Sequence, residues 1–402
     1  MGSWSNGVWN QVFAGTVGAP AETGFPNPPY TTLDTTPVSR EKPFLVRDGA
    51  GVLGVRVPAA RTDSRGTDWT SGPGAGRTVP LSQFFVARPG DSAAELASQV
   101  ARGKDLLLTP GVYDIDHSLV IRRSDTVVLG LGQATLTAVR GAVPVVVGDH
   151  ASGVVIAGIT VDAGTVSSPA LMRLGKQQHG GGHAGRGPRA ATTPTTTLND
   201  VYFRVGGPHV GRAAVALEVN SDDVLIDHTW VWRADHGVEG FTAGFNGDTD
   251  RWRTNTARNG LVVNGDRVTA TGLFVEHFQQ HDTIWNGEDG RVVLYQNELP
   301  YDPPTQADWT RPDGTRGWAG YKVADDVQRH HLYGGGVYVF NRNDPAIVTE
   351  RGFEVPRTPG VRLHHLLTVN LEAGTIEHVV NDVGDRVDSS RSGVPRYVLD
   401  YP

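Results

Sequence analysis

Glu276 and Glu298 stand 22 residues apart in this 402-residue chain, each closing a short apolar run: Phe274-Val275-Glu276-His277 and Tyr295-Gln296-Asn297-Glu298. Two carboxyl groups held side by side favour one kind of chemistry. Their like charges make it costly to ionise both, so one keeps its proton near neutral pH. A protonated carboxylic acid beside a leaving oxygen, joined by a nucleophile or an activated water, breaks glycosidic bonds. Aromatic residues cluster near the pair in sequence: Trp285, Tyr295, Tyr301, Trp309, Trp318 and Tyr321. Sugar rings present C–H faces that pack on aromatic faces, so this cluster suits a carbohydrate subsite. Asp302 is placed to orient a sugar hydroxyl or to cap a turn. His277, Gln296, Lys322, Asp235 and His236 complete the candidate substrate contacts.

Rival readings of the same residues stay open at this level. Both glutamates could be solvated residues on an outer face. Lys322 could abstract a proton beside a uronate in a polysaccharide lyase, with Asp222, Asp223, Asp325 and Asp326 as calcium ligands, but no loop shows a cage pattern. A non-catalytic glycan-binding protein would use the same aromatic residues. Asp235, His236 and His277 suggest an acyl-transfer triad, yet no Gly-x-Ser-x-Gly elbow accompanies them. Trp230 and Trp232 alternate with an apolar neighbour, and one is expected inside and the other outside.

The glutamates meet only if the chain returns to the same place every 22 residues or so. Short segments do recur: Thr126–Leu131, Gly153–Val161, Asp223–Trp232, Arg267–Val275, Arg291–Gln296 and Gly360–Val369. Each enters with Val, alternates, bends at a small or polar residue and runs apolar again. Val219-Asn220-Ser221-Asp222 and Val263-Asn264-Gly265-Asp266 share a lead-in at an offset of 44, read as twice 22. Short β-branched strands at such spacing, with Gly, Asn and Asp between them, mark a solenoid or propeller. Two-residue hairpins are scarce, which disfavours a propeller; ordinary strands of a β-sandwich are the rival reading. The expected fold is all-β: a right-handed parallel β-helix whose stacked coils lie about 4.8 Å apart. Residues 20–45 read as an extended arm, and Ser92 N-caps a helix over 92–101 that shields the first coil. Gly175–Ala190, with His179 and His183, reads as a loop.

Composition narrows the classes. A net charge of −7 disfavours nucleic acid as a partner, because phosphate binding needs a basic face. The absence of Cys removes disulfides and thiolate chemistry. No apolar run approaches the roughly 18 residues of a membrane span. No cofactor and no metal are expected. Met1-Gly2-Ser3 reads as a leader joined to an internal segment.

Thr36-Pro37-Val38-Ser39-Arg40-Glu41-Lys42-Pro43-Phe44-Leu45 resembles the linker between the two β-helices of glycoside hydrolase family 55, the exo-acting β-1,3-glucanases. The Glu276-His277 segment and the run from Gln296 to Pro304 resemble the paired blocks of that family's second helix. Leu107–Tyr113 and Trp232–Gly237 resemble an actinobacterial group of secreted β-helix proteins often labelled adenylyl cyclase. No nucleotide-cradling or metal-carboxylate pattern supports that label. The resemblance implies a secreted, inverting enzyme with Glu298 as general acid and Glu276 as its supporting carboxylate. It divides the chain into residues 1–45, the remnant of a preceding helix plus linker, and 46–402, the β-helix. Trp4–Asn10 would be the last coil of that preceding helix, whose remainder would complete the groove from another segment or chain.

Overall fold

The computed structural model describes residues 11–23, 30–66, 74–176, 195–238 and 251–402. Trp4–Asn10, His179 and His183 lie outside them. Among the described residues, two long parallel sheets wind into a right-handed β-helix. One sheet runs through Phe84–Ala87, Asp105–Leu108, Val127–Ala138, Val155–Asp162, Thr196–Val205, Val224–Arg233, Thr269–Glu276, Gly290–Glu298, His330–Val339 and Val361–Asn370. The other runs from Leu119–Ile121 to Thr375–Val380 through shorter strands. Inward positions alternate with outward ones, and the inward Val, Leu and Ile residues fill one continuous core.

The bend inside each repeat has a common backbone cause. Gly158, Asp200, His228, Gly272, Leu294, Gly334 and His365 fall at equivalent register positions in seven successive coils, and all have φ between 49° and 71°. This left-handed step turns the chain without a loop. It favours Gly, and Asp or His replaces Gly at three of these positions. At the coil turns, side chains form their own ladder. Asn264 Nδ2 donates to Asn220 Oδ1 at 2.6 Å, and Asn286 Nδ2 donates to Asn264 Oδ1 at 2.7 Å.

The coil length is not uniform. Phe274 pairs with Gln296, a true 22-residue step, but Leu225 pairs with Thr269. The lead-ins at Asn220 and Asn264 are therefore neighbours on adjacent coils, and the offset of 44 is one coil carrying a long insertion. This corrects the reading of 44 as two turns.

Both ends are closed. The helix Ala93–Ala101 covers the first coil with Leu96 and Val100 buried, and Ser92 Oγ accepts from Glu95 N at 3.2 Å as its N-cap. At the other end Arg396–Tyr401 adds antiparallel to Val361–Asn370. The N-terminal region is more integrated than an extended arm. Tyr30–Leu33 pairs with Gln11–Ala14, and Thr31 is fully buried. Phe44–Arg47, Leu53–Pro58 and Gly76–Pro80 form a three-stranded antiparallel sheet whose Val55, Val57 and Val79 pack on Val127, Leu129 and Val155. Arg40 and Lys42 tie this region to Thr197 and Asp200 of the solenoid.

Candidate active site

Glu276 is the last residue of Thr269–Glu276 and Glu298 the last of Gly290–Glu298. The Phe274–Gln296 register, continued two residues, sets the carboxyls side by side, and His277 N donates to Glu298 O at 2.8 Å. Strand alternation points both outward, because Val275 between the outward residues is fully buried. The two carboxyls have unlike surroundings. Glu276 is 7% exposed, and Trp230 Nε1 donates to its Oε2 at 2.7 Å. Burial, then the charge of Glu298, push its pKa up to about 8. The Glu298 side chain is 25% exposed; the Tyr301 hydroxyl donates to its Oε2 and Gln296 Nε2 approaches its Oε1 at 3.4 Å.

Behind the pair lies His277, held in a left-handed conformation with φ 70°. Its Nδ1 donates to Leu299 O at 3.2 Å, and its Nε2 lies 3.9 Å from both Asp235 Oδ1 and Glu298 Oε2. Burial depresses its pKa, against the opposing pull of Asp235 and Glu298. Asp235 is held low despite burial, by His277, His236 and Arg251. Arg342 donates to Asp235 O at 3.1 Å and lies over the Tyr301 ring.

An aromatic column leads to the pair. Tyr202, Trp230, Phe274 and Gln296 occupy one outward register position on four successive coils. The three rings are 37–40% exposed and line a groove of about 490 Å³ together with Glu276 and Gln296. Trp232 stacks on Trp230 at 5.1 Å and 27°, and His236 lies 5.1 Å beyond. At His228 and Gly272 the groove meets a cavity of about 860 Å³ between the N-terminal region and the solenoid.

The structure therefore gathers Glu276, Glu298, His277, Gln296, Tyr301, Asp235 and His236, and disperses the rest of the candidates. Trp285, Trp309 and Tyr321 are sealed in the core and are not substrate contacts. Their polar tips are used internally where they bond at all: Trp309 Nε1 donates to Thr349 Oγ1 at 2.9 Å, and the Tyr321 hydroxyl meets His330 Nε2 at 2.7 Å. Tyr295 is equally buried. Asp302 orients no sugar: it is fully buried between Arg233 and Arg251 at 2.7 Å from each. Lys322 pairs with Glu354 at 2.5 Å on the other sheet, and Trp318 packs on His281 and Arg311 there. Trp230 and Trp232 are not split between core and surface, because positions two apart share a face of a strand. Tyr202 and Phe274 went unread as ligand contacts, although the same alternation around buried Val201 and Val275 marks them as outward.

The model of the LAM55 pectate lyase-like domain matches residues 84–298, from the first coil strand to Glu298 itself and more than half of the chain. The chain belongs to this family. It is 47% identical to an exo-beta-1,3-glucanase of Streptomyces sp. (strain SirexAA-E / ActE), over 100% of this chain but 63% of that protein. Among solved structures, sacteLam55A from Streptomyces sp. SirexAA-E superposes with a TM-score of 0.90 at 47% identity, covering 99% of this chain and 69% of that one. A variant of sacteLam55A in complex with glucose superposes at 0.89 with 46% identity, over 99% and 68% of the two chains. This LAM55-family chain thus spans about two thirds of the length of the relatives it matches. The match reaches both glutamate-bearing strands and the whole aromatic column.

Proposed function

We propose that this chain carries the acid side of a glycoside hydrolase acting on β-1,3-glucan, with Glu298 as general acid and Glu276 as the carboxyl that keeps a proton in the pair. One observation carries the reading: a buried carboxyl pushed up to about 8 stands beside a partly exposed one at the foot of an aromatic column. Glu276 therefore still holds the pair's proton at neutral pH. Glu298 reaches solvent further than Glu276 and is the member that delivers it to a leaving oxygen. The column spaces its rings at about 4.8 Å, one per coil, and offers faces to a chain of sugars. The relative named an exo-beta-1,3-glucanase, and the glucose complex of sacteLam55A, support the substrate class. Exo action and inversion belong to the same proposal. Inversion needs a water on the far side of the ring, and we assign its positioning to a further β-helix segment that completes the groove. We place the protein outside the cell, where polymeric glucan is met.

Product analysis tests this. The chain, alone and joined to such a segment, is incubated with laminarin, other β-glucans, α-glucans and uronate polymers. Glucose from laminarin is the expected product. Unsaturated products absorbing in the ultraviolet would make it a lyase, and no product from either form would overturn the hydrolase reading.

Glu276→Gln separates the two glutamates. Gln resembles the protonated form of Glu276 but cannot ionise. In the parent, an ionised neighbour makes the last proton of the pair harder to remove. Without it, the basic limb of the kcat/KM profile moves to lower pH by about one unit. Loss of activity in Glu276→Gln at every pH, with Glu298→Gln merely shifting the profile, would exchange the two roles. Stability moves with the same shift. A folded pKa raised from 4.5 to about 8 favours the fold below pH 4.5 and is lost as pH rises through 8. Glu276→Gln is therefore expected to melt above the parent at pH 9 and show no such gain at pH 4; a difference independent of pH would contradict the buried-proton assignment.

Trp230 has two roles that substitution separates. Its Nε1–H bond favours the ionised form of Glu276. Trp230→Phe keeps a ring but removes that donor, and the basic limb is expected to rise in pH with KM nearly unchanged. Trp230→Ala removes the ring too, and KM for a glucan oligomer rises about three- to tenfold. An unchanged KM in Trp230→Ala would remove the column from the binding site.

A further inference from the structure

His364 and His365 sit side by side on Val361–Asn370, the last parallel strand of the long sheet. Neighbours on a regular strand point to opposite faces. Here the left-handed step at His365, φ 54°, instead leaves the two rings stacked 4.0 Å apart at 19°. Each ring is anchored through Nδ1. Asp400 Oδ1 holds that of His364 at 2.6 Å, and Thr31 Oγ1 meets that of His365 at 2.5 Å. A carboxylate on Nδ1 keeps the proton there and turns the Nε2 lone pair outward. That Nε2 meets a second carboxylate, Glu22 Oε1, at 2.9 Å.

An imidazole with a carboxylate at each nitrogen requires a positive charge at the second contact, supplied by a proton or by a metal ion. The surroundings favour the metal. One ligand atom from each of Glu22, His364 and His365 lies within 4.8 Å of the other two. Two imidazoles and one carboxylate form a ligand set that zinc takes in proteins, with a water in the fourth position. The outer contacts are those of a metal site: Asp400 and Thr31 fix the rings, and Thr32 N donates to Glu22 Oε2 at 3.1 Å. The Glu22 side chain is 40% exposed, which leaves an entry path.

We propose that Glu22, His364 and His365 bind one divalent transition-metal ion of the zinc class. The ion clamps the N-terminal region, through Glu22, to the last coil. Asp400 brings in the antiparallel strand that closes the solenoid. The role is structural and separate from the carboxyl pair, which lies on the strands two and three coils earlier.

Calorimetric titration of the chelator-stripped chain with zinc chloride is expected to show one equivalent bound with Kd below about 10 µM. Cobalt(II) in its place should give the visible d–d bands of a four- or five-coordinate site. At a hundredfold excess over Kd, zinc should raise the Tm by about 3 °C. Glu22→Gln and His364→Ala should each weaken binding at least about tenfold, whereas His150→Ala, at an exposed histidine elsewhere, should leave it unchanged. Glu22 lies outside the core, so Glu22→Gln still gives the readout if the His364 variant does not fold. No stoichiometric binding, or binding unaltered in the His364→Ala/His365→Ala double variant, would overturn the site and leave a proton bridging the two carboxylates.

Discussion

Glu298→Gln is expected to release glucose from laminarin 10²- to 10⁴-fold more slowly than the parent, the usual contribution of general acid catalysis (about that range). Gln keeps the shape and can still accept from the Tyr301 hydroxyl, so the fold and the groove should survive. The loss should fall on kcat, with KM within about threefold, because the missing proton is needed only as the glycosidic bond breaks. Tyr301 adds a second signature. Burial, followed by the charge of Glu298, drives the phenol well above its usual range. With Gln at 298 that charge is gone, and the phenol should titrate at lower pH by ultraviolet absorbance. A rate within about threefold of the parent would remove Glu298 from the chemistry.

Asp302→Asn is expected to destabilise the chain by about 3–5 kcal/mol, the usual cost of breaking a fully buried ion pair from one side. Arg233, Arg251 and Asp302 are all fully buried, and both guanidinium groups share the one carboxylate. The two cations hold Asp302 far below the usual carboxylate range in spite of its burial. Arg233 also donates to His277 O at 3.0 Å and to Asn255 O at 2.6 Å, so the cluster fixes the backbone just behind the carboxyl pair. Urea unfolding should therefore show a lower midpoint with an unchanged slope. The surviving folded fraction should also lose turnover. A change below about 1 kcal/mol would mean the cluster reorganises around the amide.

The sequence made the solenoid legible because each coil must solve the same problem: enter with Val, alternate and turn. It was less informative about coil length. The 44-residue step between Asn220 and Asn264 looked like two coils because insertions leave no mark on the strand pattern. The glutamates were readable because a 22-residue coil happens to join their strands. Apart from Tyr301, the aromatic candidates were misassigned by proximity in sequence. Trp285 and Tyr321 lie near the pair along the chain, but they sit at inward positions of the other sheet. Trp230 and Tyr202 lie far away in sequence and stack in the same outward column. Parallel stacking, not chain distance, decides which side chains meet. The Asp302 cluster was not legible at all, since Arg233 at the end of a strand and Arg251 in the short helix Arg251–Thr254 reach it from far back in the chain.

The plugs at the two ends restrict how a chain of this kind can change size. The helix Ala93–Ala101 and the reversed strand Arg396–Tyr401 each offer a surface on which no further parallel coil can stack. Lengthening must therefore happen by splicing whole turns into the middle. A turn spliced in below Tyr202 would extend the aromatic column and leave the carboxyls untouched. One spliced between Thr269–Glu276 and Gly290–Glu298 would part the two carboxyls by an extra rung. Variation in length among descendants of this architecture should accordingly accumulate on one side of that junction and be purged from it.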